Sequence, residues 1–243
     1  DYLSIGTKDK IKKSDKELFL LENIRFNKEE EDNDTEFAKL LANLGDIYVN
    51  EAFSCSHRSH ASVTGITKFI KSYAGETIIN ELNSLEKIFN KSNKPVTCII
   101  GGSKISTKID LISNLIRKVD YMIIGGAMAN NFLKYDNFEI GKSLFEPNKE
   151  MTIKNIIFEA KKNNCQLVLP EDVIVSINEN TPGQNKNLSE INSNEIIFDI
   201  GSNTIKTIAK IINLSKTLLW NGPLGFFEKD YFAKGSNEVA RLI

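Results

Sequence analysis

Apolar residues follow two rhythms along this chain, and the change between them divides it. Up to about residue 75 the pattern is sparse. Phe19-Leu-Leu21 is a short apolar run that leads into Glu22-Asn-Ile-Arg-Phe26 and the acidic stretch Glu29–Asp32, which predicts a strand and then a loop. From Asp34, a suitable N-cap, Phe37, Leu40, Leu41 and Leu44 recur at helical spacing, and Gly45 is placed to end the helix. Asp46–Asn50 predicts a second strand, which runs into the polar, hydroxyl-rich segment Glu51–His60.

Residues 76–90 set Ile78, Ile79, Leu82, Leu85, Ile88 and Phe89 on one face, which predicts a long amphipathic helix broken by Lys91–Pro95. Beyond Pro95 the rhythm becomes a regular alternation. Strands are expected at Val96–Ile100, Tyr121–Ile124, Gln166–Leu169, Asp172–Val175, Ile196–Asp199 and Thr217–Trp220. Helices are expected from about Lys104 to Arg117, from about Met128, over Glu150–Lys162 and over Thr204–Ile212. Such alternation implies βαβ units, an α/β fold and a mainly parallel sheet. A domain boundary is expected near residues 75–95. One internal echo stands out: Ile99-Ile-Gly-Gly102 returns as Ile123-Ile-Gly-Gly126, each closing a buried strand and opening a helix. In open α/β sheets, ligands lie beyond such strand ends.

Composition narrows the partners. The 31 Lys+Arg against 32 Asp+Glu leave a net charge of −1, so no general field draws nucleic acid or an anionic membrane, and anion binding must come from placed cations. The longest charge-free stretch, Tyr121–Leu133, spans 13 residues with a Gly pair inside, too short to cross a bilayer. Three widely spaced cysteines suggest no disulfide framework and a reducing, cytoplasmic compartment. The 243 residues correspond to roughly 1.6 domains of ordinary size. A chain that opens on Asp1 and stops inside a helical pattern is expected to be an excerpt.

The sharpest chemical feature is Gly101-Gly-Ser-Lys-Ile-Ser-Thr-Lys108, between a strand and a helix. Lys104 and Lys108, read as i,i+4 neighbours in a first helical turn, repel each other and oppose the positive end of the helix dipole. Something anionic should offset them. With close backbone approach at Gly102 and Ser103, the segment reads as a polyphosphate cradle; a surface lysine pair after a structural turn is the competing reading. The spacing is neither a Walker loop nor G-x-G-x-x-G. Trp220-Asn-Gly-Pro-Leu-Gly-Phe-Phe-Glu228 could wall an adenine ring, with Asn221 and Glu228 as polar anchors, or could simply be a packed turn. Arg25 and Arg58, two of only four arginines, each follow an expected strand, so that parallel strands would converge them on one anion. His57 is expected to support the same anion site. Cys55, His57 and His60 lack a fourth ligand, so no metal site is expected.

Taken in order, several motifs resemble one family. These are Leu21-Glu-Asn-Ile-Arg-Phe26, Tyr48-Val-Asn-Glu-Ala-Phe-Ser54 with His57-Arg58, the Gly101–Lys108 segment, Ile124-Gly-Gly-Ala-Met-Ala129, Gly141-Lys-Ser-Leu144, Leu169-Pro-Glu-Asp172 and Leu219–Glu228. Together they resemble phosphoglycerate kinase. The resemblance implies two doubly wound, parallel-sheet, Rossmann-like domains joined by a long helix: residues 1–75 as the later part of a phosphoglycerate-binding domain, 76–95 as connecting helix and linker, and 96–243 as a truncated nucleotide-binding domain. It implies Arg25 and Arg58 on 3-phosphoglycerate or 1,3-bisphosphoglycerate. It also implies Lys104 and Lys108 on the nucleotide phosphates and the group in flight, with Gly102, Ser103, Gly126, Asn221 and Glu228 around ATP or ADP. Mg2+ would arrive with the nucleotide, and a cytoplasmic monomer that closes like a hinge is expected.

Three residues depart from the family pattern: Glu51 stands where Asp is usual, Ala127 where a third Gly is usual, and Leu224 where Val is common. The family's opening Asp-Phe-Asn and His-Leu-Gly-Arg segments and its closing Gly-Gly-Gly-Asp-Thr loop have no counterpart here. The chain alone is therefore expected to be inactive. A dinucleotide oxidoreductase and a non-catalytic α/β small-molecule binder are the other classes compatible with such an architecture.

Overall fold

The computed structural model describes residues 7–90 and 93–243, and for residues 88–90 the backbone alone. The expected break at Lys91 and Ser92 and the side chains of Ile88 and Phe89 therefore lie outside the described residues. The chain divides into two compact units, one ending at Lys87 and the other running from Ile88 to Ile243.

In the first unit the elements are helices α1 (Thr7–Lys13), α2 (Lys28–Glu31) and α3 (Thr35–Ala42), strands β1 (Ile47–Asn50) and β2 (Lys71–Ala74), and the start of α4 (Glu76–Asn90). Asp34 caps α3 as its sequence position suggests, its side chain accepting from Phe37 N at 2.8 Å. The helix ends at Ala42, before Gly45. Phe37, Ala38, Leu41 and Ala42 pack against Ala61 and Ile66 to form this unit's core. β1 pairs in parallel with β2, a strand not anticipated from its mixed pattern Lys-Ser-Tyr-Ala. The strand expected at Phe19–Leu21 does not form; Leu20 is 97% exposed. An apolar run becomes a strand only with a ladder partner, and none of the described residues supplies one.

Glu51, the departure from the family's Asp, caps α4. Its two carboxylate oxygens accept from Glu76 N and Thr77 N, both at 2.9 Å. A Cβ on Gly75 would sit 2.1 Å from that carboxyl, so the glycine makes room for the longer acid.

The second unit is built on a four-stranded parallel sheet of order β5-β4-β3-β9, with β3 Val96–Ile100, β4 Tyr121–Ile124, β5 Gln166–Val168 and β9 Thr217–Asn221. Every residue of β3 is fully buried, because helices cover both faces. On one side Val96, Cys98 and Ile100 meet α5 (Ile109–Ile116), α6 (Ala129–Tyr135) and α7 (Glu150–Lys162). On the other, Ile99 and Ile123 meet α8 (Ser202–Leu214) and α9 (Lys234–Arg241). Burying one such Ile or Val contributes about 1.5–3 kcal/mol, and a near-continuous apolar run, broken only by Thr97, whose hydroxyl is bonded to Ser215 Oγ at 2.6 Å, is what a doubly covered strand requires. Among the described residues no helix is long and apolar enough to cross a membrane.

One expectation is corrected here. The strands at 172 and 196 do not join the parallel sheet. β6 (Asp172–Ser176) pairs antiparallel with both β7 (Gln184–Asn187) and β8 (Ile196–Ile200) in a separate sheet, order β7-β6-β8. No α-helix lies between β6 and β8, and parallel neighbours need a long crossover whereas antiparallel ones need only a short link.

Asp172 docks α8 onto this small sheet. Fully buried, it accepts from Thr204 N (2.8 Å), Thr204 Oγ1 (2.8 Å), Asn203 N (3.0 Å) and the side-chain amide of Asn185 (2.8 Å). Burial alone would raise its pKa, but these donors hold the carboxyl below its ordinary value. Asp172→Ala should lower the unfolding free energy by about 3 kcal/mol or more, read as a shifted urea midpoint. Because the folded value is depressed, the native advantage over the variant should persist above the ordinary carboxylate pKa of 3.8 and fade on acidification below it.

Candidate functional site

β4, β3 and β9 are neighbours, and their ends are level: Ile100 pairs with Ile124 on one side and Asn221 on the other. Each strand then runs into glycine, giving Gly101-Gly102, Gly125-Gly126 and Gly222-Pro223. The three loops are laced by backbone hydrogen bonds, Gly101 N to Asn221 O (3.0 Å), Gly126 N to Leu224 O (2.8 Å) and Met128 N to Gly102 O (3.0 Å). A Cβ on Gly101 would lie 1.8 Å from Pro223 O. Gly126, at φ +66°, would place one 2.6 Å from the backbone of Gly102. The repeated Gly pair is thus a close-approach requirement.

Above this edge lies a cavity of about 500 Å³, within the size range of small-molecule sites. Gly102, Ser103, Gly126 and Ala127 form one side; Pro223–Phe226 and Ile196–Ile200 form the others, with Leu144 and Glu228 also contributing. Phe226 N donates to Phe198 O at 2.7 Å, tying the β9 loop to β8. The ring of Phe198 stacks on Phe232 at 4.3 Å and lies 6.1 Å from Phe226.

Of the residues singled out in the sequence, Gly102, Ser103, Gly126 and Glu228 line the cavity, as do the departures Ala127 and Leu224. Lys104, Lys108 and Asn221 do not line it. The helix expected from Lys104 begins only at Ile109, with Lys108 as its N-cap. Local bonds replace the helical ladder: Thr107 Oγ1 donates to Lys104 O (2.9 Å) and Ser106 bonds Glu146. The two lysines consequently share no helical turn, and the repulsion argument does not apply. Lys104 is exposed, and its ammonium has no hydrogen-bond or ion-pair partner among the described residues. Lys108 turns inward, its Nζ donating to Gly101 O (2.7 Å), Asn221 O (3.1 Å) and Asn221 Oδ1 (2.5 Å). Burial pushes its pKa below the ordinary lysine value. Asn221 is thus a partner of Lys108 here.

In the first unit, Arg58 follows β1 and the turn Phe53–Cys55, but Arg25 follows no strand. It sits in the short helical turn Ile24–Phe26, with Asn23 Oδ1 accepting its backbone N–H. Its Nη2 lies 4.0 Å from Cys55 Sγ, and Cys55 O accepts from Arg58 N at 3.0 Å. Cys55, rather than two parallel strand ends, links the two arginines. His57 is exposed. His60 Nδ1 lies 3.6 Å from the buried Glu30, which also accepts from Ser62 N (2.9 Å) and Ser62 Oγ (2.6 Å). Among the described residues no group of three or more His, Cys, Asp or Glu is placed to hold a metal.

The sequence reading missed the β8 wall, Leu144 and Asp199. An acid inside Ile196-Ile-Phe-Asp-Ile200 was the available signal. Asp199 is 2% exposed and accepts from Gly235 N (2.6 Å) and Ile200 N (2.8 Å). Burial pushes its pKa up to about 7, with Glu238 adding to the rise against these two donors.

An open parallel α/β unit with a cleft at the carboxy-terminal edge of its sheet is the class defined by this arrangement. The family model for phosphoglycerate kinase matches residues 3–243. Phosphoglycerate kinase of Wolbachia pipientis subsp. Culex pipiens is 51% identical over 228 residues, covering 93% of this chain and 58% of that protein. The enzyme of Orientia tsutsugamushi strain Ikeda is 46% identical over 249 residues, covering 99% and 61%. Among solved structures, phosphoglycerate kinase from Coxiella burnetii superposes with a TM-score of 0.80 at 42% identity, covering 90% of this chain and 58% of that one. That from Pyrococcus horikoshii OT3 gives 0.83 at 26% identity, covering 100% and 64%. The chain belongs to the phosphoglycerate kinase family. It spans about three fifths of the length of these relatives.

From pH 3.8 to about 7, folded Asp199 holds a proton that the unfolded chain has released, so this group's contribution to stability falls as pH rises and levels off above that window. The difference in unfolding free energy between Asp199→Asn and the native chain should move steadily in favour of the variant across that window and then stay constant. A flat difference would contradict the assignment.

Proposed function

We propose that the chain is part of an enzyme that reversibly transfers a phosphoryl group between 1,3-bisphosphoglycerate and ADP, giving 3-phosphoglycerate and ATP in glycolysis. In this reading residues 1–75 belong to the phosphoglycerate-binding domain, 76–95 to the connecting helix and linker, and 96–243 to the nucleotide-binding domain. MgADP or MgATP occupies the cavity, with the base among its apolar walls, a ribose hydroxyl on Glu228 and the phosphates toward Ser103 and Lys104. Arg25 and Arg58 hold the phosphoglycerate. Mg2+ comes as part of the nucleotide substrate.

The observation that carries this reading is an apolar cavity whose wall residue Ser103 is followed directly by a cation, Lys104, with no partner of its own. Phosphoryl transfer asks a protein chiefly for positioning and charge stabilisation. The attacking group is an ionised phosphate oxygen of ADP in one direction, with the carboxylate leaving, and the carboxylate of 3-phosphoglycerate in the other, with ADP leaving, so no general base is required. Lys108 fits a role in that chemistry because its ammonium is held by neutral oxygens alone, and its positive field is not cancelled by a carboxylate. Closure about residues 76–95 would exclude water from the acyl phosphate. The parent enzyme is read as a cytoplasmic monomer.

Three measurements test this. Calorimetric titration of the 243-residue chain with MgADP should show one site, while a coupled assay on the same chain should show no family-like turnover. In the full-length gene product, Lys104→Ala should lower kcat/KM by about a hundredfold or more. Arg58→Ala should act mainly on the phosphoglycerate KM. Near-normal kinetics in both variants would overturn the assignment.

A further inference from the structure

The cavity wall and the lysine-bearing loop are joined by one residue far away in sequence. Glu146 grips Ser106 with both carboxylate oxygens, Oε2 accepting from the backbone N–H at 2.8 Å and Oε1 from the hydroxyl at 2.6 Å. These bonds and the backbone of Ile105 hold its carboxyl below the ordinary range, the Ser106 hydroxyl most of all. The main chain of Glu146 is itself clamped. Asn131, buried on α6, donates Nδ2 to Glu146 O (2.6 Å) and accepts from Glu146 N (3.2 Å). Its neighbour Asn130 donates to Leu144 O at 2.9 Å, fixing the backbone that presents Leu144 to the cavity.

We propose that Glu146 is a positioning residue for the phosphate-binding loop: anchored through Asn131 to the same helix that fixes Leu144, it holds residues 104–107 so that Lys104 is already in place when a base enters the cavity. The proposal rests on the nucleotide reading above and deepens it. The loop has no helical ladder between Lys104 and Lys108 to define its shape. Its fixed points are the buried Ile105, the single backbone turn bond from Lys108 N to Ile105 O at 2.9 Å, the Thr107 bond to Lys104 O and this carboxylate. Removing the carboxylate frees the loop without opening the apolar walls. Base recognition and phosphate recognition should therefore come apart.

The test compares MgADP with adenosine, which has the base and ribose but no phosphates, by calorimetric titration of the 243-residue chain. Glu146→Ala should weaken MgADP by about tenfold, the worth of a charge-assisted hydrogen bond, while adenosine affinity stays within about twofold of native. Glu146→Gln, which keeps one acceptor, should lie between. Ser106→Ala, which leaves the Asn131 clamp whole, should show the same selectivity to a smaller extent and serves if Glu146→Ala fails to fold. Equal loss of both ligands, or loss of neither, would overturn the proposal while leaving the nucleotide reading intact. If the unsubstituted chain binds no MgADP, the nucleotide reading falls, and this one with it.

Discussion

The carbonyl oxygen of Pro223 occupies the space where a Cβ on Gly101 would stand, 1.8 Å away, and the geometry of the second unit follows from that closeness. Three strand ends can be stitched to one another only because glycine leaves their backbones bare. Once stitched, β3, β4 and β9 end level, and the loops that follow form a continuous edge beneath the cavity. A side chain at any of these close approaches would force the loops apart and separate Ser103 from the Pro223–Phe226 wall. The sheet below can tolerate such constraint because its central strand is buried on both faces and held by two independent cores.

Charge is distributed around this edge by what each group can reach. Asp172 finds four donors and stays ionised within the core, fixing the start of α8. Asp199 finds two, and burial dominates. Lys108 is met only by neutral oxygens, so its charge is solvated by the protein without being neutralised. Lys104 is left to water. A net charge near zero over the whole chain thus coexists with a locally electropositive loop. The first unit uses the same device differently, with Glu30 fastening the Ser62 segment and Glu51 capping α4. In both units carboxylates fix backbone where no regular ladder does, and in the second unit the loop so fixed by Glu146 bears Lys104.

Much of the second unit was legible in the sequence because local patterns and tertiary demands agree there. The mostly apolar Val96–Ile100 run, the helix periodicity at 150–162 and 204–212, and the paired Ile-Ile-Gly-Gly motifs each state a burial or close-approach requirement in consecutive residues. The Asp34 cap was legible for the same reason, being a contact over three residues. What failed was decided at a distance. Phe19–Leu21 has strand composition but no ladder partner among the described residues. Gln184–Asn187 has none of the apolar signal of a strand and forms one because β6 offers an edge.

The sequence by itself determined the fold class, the strand-end glycines and the identities of the cations that the family motifs mark, since these depend on side-chain type and short spacing. Only the tertiary structure decided where those cations point. Lys104 and Lys108 look equivalent as an i,i+4 pair, yet Asn221, 113 residues from Lys108, draws one inward while the 40-residue reach from Ser106 to Glu146 holds the other's loop out of the helix. Asp199 and Leu144 likewise became cavity residues only when separate segments met. Hydrogen bonds and burial between distant segments carry no signature in local spacing, and they set the geometry of this cleft.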